Sequence, residues 1–123
     1  MKNELFQDIF DAIRPMLPTG WSKMILYVCY TTGSYSMKFY TREGKAGYTD
    51  CFSMMPMEKA QLIKLFMKID RMIAPERNIL SDKWSVLTLA VDKSGNMKAD
   101  FDYTDINENA IEYERKWKDK YLV

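Results

Sequence analysis

Residues 22–41, SKMILYVCYTTGSYSMKFYT, decide the fold. The first ten are rich in β-branched and aromatic residues, with apolar groups at both odd and even positions. That pattern predicts a central strand covered on both faces. Thr32-Gly33 supplies turn chemistry, and from Tyr35 the chain alternates, with Tyr35, Met37 and Phe39 on one face and Ser36, Lys38 and Tyr40 on the other. Two strands joined by a two-residue turn make an antiparallel hairpin, not a parallel crossover unit.

Working outward, residues 47–52 (GYTDCF) read as a shorter third strand after the turn at Arg42-Glu43-Gly44-Lys45. Upstream, Leu5, Phe6, Ile9, Phe10, Ile13 and Leu17 recur at three- and four-residue spacing, which predicts a helix over 3–17 closed by Pro15 and Pro18. Downstream, Leu62, Ile63, Phe66, Ile69, Met72 and Ile73 predict a helix over 57–74, with Pro56 at its start and Pro75 as its stop. Residues 75–83 read as a loop. Residues 84–91 (WSVLTLAV) and 96–103 (NMKADFDY) read as strands around the turn Asp92-Lys93-Ser94-Gly95, and 108–120 as a last helix. The order is α-β-β-β-α-β-β-α. It predicts an α+β fold: one five-stranded antiparallel sheet with N-terminal, central and C-terminal helices, packed mainly on one face. The length, 123 residues, fits one domain over 1–123 with a core of its own.

Composition narrows the function. There is no histidine, so no Ser-His-Asp or Cys-His arrangement is available, and the expectation is a protein that is not an enzyme. Cys29 and Cys51 sit in apolar runs without metal-binding spacing and read as small core hydrophobes. No run of eighteen apolar residues occurs, and MKNELFQDIF has acids where an export signal carries positive charge, so a cytoplasmic protein without a membrane contact is expected. No glycine-rich phosphate loop or basic helix appears, so neither direct nucleic-acid binding nor a cofactor is expected. Ten methionines read as core fillers, with Met54, Met55 and Met57 around Pro56 as a candidate adaptable contact surface.

The charge is segregated. Residues 92–114 hold seven acids and two bases, a net of −5 inside a chain whose total is +1. Asp100 and Asp102 share one strand face, with Asp105, Glu108 and Glu112 beyond. Three readings stand open for them: a solvated face, an acidic protein-binding surface, or a site for a hard cation. The loop pattern of a calcium-binding helix pair is absent.

The end of the chain carries a more specific signal. Phe101-Asp102-Tyr103-Thr104-Asp105, then Tyr113-Glu114-Arg115, then Trp117-Lys118-Asp119-Lys120-Tyr121-Leu122 resembles the C-terminal signature of the YezG-like immunity family. Asp119 stands where that signature has tyrosine, and Val123 where it has glycine. The Gly20-Trp21 step into the first strand is similar too. The resemblance implies an immunity protein, or antitoxin, that binds one-to-one the C-terminal nuclease domain of a secreted or contact-delivered toxin. Under it, Asp100, Asp102, Asp105, Glu108 and Glu112 are the expected toxin-binding residues, Phe101, Tyr103 and Trp117 hold the last helix to the sheet, and Arg115 pairs with a nearby carboxylate. No small-molecule substrate is implied. A secretion chaperone or other binding module is the alternative that the missing catalytic set equally allows.

Overall fold

A computed structural model describes residues 3–54 and 58–123. Helix α1 (Asn3–Ile13) leads into a 3₁₀ turn at Arg14–Met16, strands β1 (Lys23–Thr31), β2 (Ser34–Arg42) and β3 (Thr49–Asp50), helix α2 (Lys59–Asn78), strands β4 (Val86–Asp92) and β5 (Met97–Asp102), and helix α3 (Ala110–Tyr121). The sheet is antiparallel in the order β3-β2-β1-β4-β5. The expected order of elements is the observed one.

β1 is central because both of its faces are apolar. Met24, Leu26 and Val28 point to one side and Ile25, Tyr27 and Cys29 to the other, and all six are buried. The first set meets Leu5, Ile9 and Ile13 of α1 and Leu62, Ile69 and Ile73 of α2. Each such side chain contributes about 1.5–3 kcal/mol on burial, so this is the larger of the two cores. The second set meets Trp117 of α3 and Ile106. α3 therefore covers the face opposite α1 and α2, and the sheet is the middle of three layers. α3 buries Trp117 alone among its fully buried residues, so it is the most lightly anchored helix.

Several boundaries differ from the expected ones for local reasons. α1 ends at Ile13 because Pro15 tightens the next turn to 3₁₀ geometry. β3 is only two residues long: the Asp50 carboxylate accepts the Phe52 N–H at 2.9 Å and turns the chain into a 3₁₀ segment at Cys51–Ser53. α2 runs through Pro75 to Asn78. Trp84 and Ser85 precede β4 instead of opening it. The hairpin tip keeps its expected chemistry, with Gly33 in the left-handed region at φ 74°.

Cys29 and Cys51 are buried and free. Burial pushes both thiols up, Cys51 to about 12, so they pack as neutral groups. Met54 packs into the core under the sheet, with the Thr41 hydroxyl donating to its sulfur at 3.6 Å, and only its edge reaches a surface cleft. Met55, Pro56 and Met57 lie outside the described residues. Among the described residues no helix is long and apolar enough to cross a membrane.

Candidate interaction surface

β5 is an edge strand whose side chains divide cleanly. Met97, Ala99 and Phe101 pack toward α1 and α2, while Asp100 and Asp102 turn toward α3. Asp102 is half-buried and fully engaged. It accepts the Tyr113 hydroxyl at 2.7 Å, the Thr104 hydroxyl at 2.7 Å and the Thr104 N–H at 2.9 Å. These bonds, that from Tyr113 foremost, hold its carboxyl below the usual carboxylate range. Asp100 accepts the Tyr121 hydroxyl at 3.2 Å. The structure thus brings these two acids together as ties between the sheet edge and α3. Beside them lies a cleft of about 470 Å³, with Lys116 and Lys120 on its other wall.

The remaining three acids lie further along. Asp105 is exposed and accepts both the backbone N–H of Asn107 (3.0 Å) and its side-chain amide (2.7 Å), and these bonds lower its pKa. Asn107 in turn accepts the Thr32 N–H at 2.7 Å, which pins the β5–α3 loop to the β1–β2 turn. Ile106, buried at 2% exposure, plugs the loop into the smaller core. Glu112 is exposed and bonded to Arg115 at 2.5 and 3.2 Å; the guanidinium holds its pKa down. Arg115 therefore does pair with a neighbouring carboxylate, and Asp119 lies 4.0 Å away on its other side. Glu108 is exposed and has no ion pair or hydrogen bond among the described residues.

Two large apolar residues of this stretch of chain were not singled out by sequence reasoning as exposed. Tyr103 is 59% exposed and Ile111 90% exposed. Tyr103 thus leaves the scaffold role expected of it, whereas Phe101 packs on Phe6 and Trp84, and Trp117 is buried. Helical spacing held the signal for Ile111. Tyr113, Trp117 and Tyr121 fall at four-residue intervals on the packed side, and a residue two before Tyr113 points roughly the opposite way.

The exposed carboxylates Asp105 and Glu108 thus stand on a loop tied to the β1–β2 turn, and Glu112 and the exposed Ile111 follow in the first turn of α3, while Tyr103 lies on the α1/α2 side beside Trp84 and Phe101. The pKa values of Asp105 and Glu112 are lowered by their hydrogen bonds to Asn107 and Arg115, so both stand as anions near neutral pH. The phenols of the buried Tyr27 and Tyr40 and of the half-buried Tyr30 move up and stay neutral. Such a surface is equipped to recognise a basic partner.

Comparison with known proteins identifies the family. The family model for the YezG-like immunity proteins matches residues 2–123. The immunity protein YezG of Bacillus subtilis (strain 168) is 26% identical over 121 residues, an overlap covering 91% of this chain and 80% of that one. With the match running over nearly the whole sheet and all three helices, the chain belongs to the YezG-like immunity protein family.

Proposed function

We propose that this immunity protein acts without catalysis, in the cytoplasm, by binding one-to-one the C-terminal nuclease domain of a cognate secreted or contact-delivered toxin. The observation that carries the reading is the run of exposed acids Asp105, Glu108 and Glu112, on a loop tied to the β1–β2 turn and on the first turn of α3, with Ile111 exposed beside them in sequence. A nuclease must offer positive charge to phosphates. A rigid acidic surface competes for that charge without needing to order itself first. Aromatic and aliphatic anchors then supply affinity that charge alone does not. Within this reading Asp105, Glu108 and Glu112 meet the toxin directly. Asp100 and Asp102 add to the field and hold α3 in place.

The test is co-expression with the nuclease domain encoded beside this gene. Protection from killing and a one-to-one complex by light scattering are expected. The E108K/E112K double variant should keep its far-UV circular dichroism and lose about tenfold or more in affinity, since close charge pairs at inhibitor interfaces couple by about 1.5–7 kcal/mol. Full protection and unchanged affinity in that variant would overturn the acidic-surface reading. Binding only to an unfolded toxin segment would replace neutralisation with a chaperone role.

A further inference from the structure

The charges of α2 are arranged unlike those of α3. On α3, Glu112, Glu114 and Asp119 each lie within 4.0 Å of a lysine or arginine. On α2, Lys59, Lys64, Lys68 and Arg71 are exposed, and none has an ion pair or hydrogen bond among the described residues. Lys64 and Lys68, one helical turn apart, form a wall of a cleft of about 780 Å³ between α2 and the chain leaving α1. Its floor is apolar, made by Met16, Leu17, Pro18, Met54 and Leu65, and among the described residues no carboxylate lines it. Across the lysine ridge Ile63 and Met67 are 48% and 43% exposed.

We propose that this cleft is a second docking site, and that it receives a segment of a partner protein in which an apolar side chain is flanked by carboxylates. The volume is that of a built ligand site. The apolar floor would take any aliphatic or aromatic side chain. Selection comes from the lysines: cations without an internal counter-ion gain most from an anionic neighbour, and a basic neighbour is repelled. The site lies on the opposite side of the sheet from α3, so it uses none of the acids assigned to the toxin surface and does not rest on that assignment.

The test pans a displayed random dodecapeptide library against the whole protein. Enriched sequences should join Leu, Ile, Met or Phe to Asp or Glu. A synthetic winner should shift the amide NMR signals of residues 12–19 and 61–68. The K64E/K68E variant should bind it about tenfold or more weakly, the size expected for losing two partly desolvated ion pairs. If that variant fails to fold, K64Q/K68Q is measured in its place and should weaken binding in the same direction. Enrichment of basic peptides, no enrichment, or shifts confined to other residues would overturn the proposal. So would sodium laurate shifting the cleft signals where no peptide does, which would give the site to a small amphiphile. Self-association abolished by K64E/K68E would give it to a second copy of this chain and overturn it as well.

Discussion

Trp117 carries much of what holds α3 to the sheet. Its ring lies 4.8 Å from that of Tyr27, 5.6 Å from Tyr40 and 5.3 Å from Tyr121, and its Nε1 donates to the Thr88 hydroxyl at 2.8 Å. Thr88→Val keeps the shape of the acceptor residue and removes the acceptor. A buried N–H left without a partner costs about 1–3 kcal/mol, and urea unfolding should show a loss of that size; an unchanged midpoint would mean the bond contributes nothing. Asp102 adds a pH dependence. Its folded pKa is lowered, so the stability it contributes is fully present above its unfolded value of about 3.9 and is lost as pH falls through the lower folded value. Asp102→Asn should therefore be less stable than the wild type at neutral pH, and the gap should close in acid. Urea midpoints measured across that range decide it: a gap that stays constant would show that the carboxylate acts through shape and not charge.

At the scale of elements, α2 shows most clearly where sequence reasoning stops. A proline inside a helix removes one hydrogen bond and crowds the carbonyl four residues back, so Pro75 reads as a terminus. The helix nevertheless continues to Asn78, because the last turn is fastened from outside. Arg77 donates to the Trp84 carbonyl at 2.7 Å, and its guanidinium lies over the rings of Tyr30 (4.7 Å) and Trp84 (5.3 Å). Those contacts span the sheet and have no local signature. Pro75→Ala should restore the missing bond and raise stability by about 1–3 kcal/mol; a loss of stability on thermal unfolding would show instead that the kinked geometry is required by the packing. β2 and β5 were legible because alternation is a local pattern, and β1 because an unbroken apolar run rich in β-branched and aromatic residues is one too. β3 shrank because one side chain, Asp50, diverted the backbone. The helix on the far face was implied by Ile25, Tyr27 and Cys29, which need cover, yet nothing local says which element supplies it. The same limit applies to the acids. Sequence names the carboxylates, but only the fold shows that Asp102 is spent on Tyr113, eleven residues away, while Glu108 stands open.

For the molecule as a whole, a total charge of +1 conceals a segregated acidic segment. The 92–114 segment is net −5, while Lys59, Lys64, Lys68 and Arg71 of α2, without an ion pair among the described residues, lie across the sheet from α3. A charge distribution of this kind orients an approaching partner, and its main effect is on the rate of encounter, not on the lifetime of the complex. At physiological ionic strength the screening length is about 8 Å. Raising salt should therefore slow association with the nuclease domain while leaving dissociation nearly unchanged. E108K/E112K, with its acidic surface reversed, should show a flatter or inverted salt dependence of the association rate. Stopped-flow mixing at a series of salt concentrations separates the cases. If wild type and variant follow parallel lines, steering comes from elsewhere on the molecule, and Ile111 would have to account for recognition through contact alone. If the lines diverge while dissociation stays constant, the exposed acids act before contact and Ile111 after it.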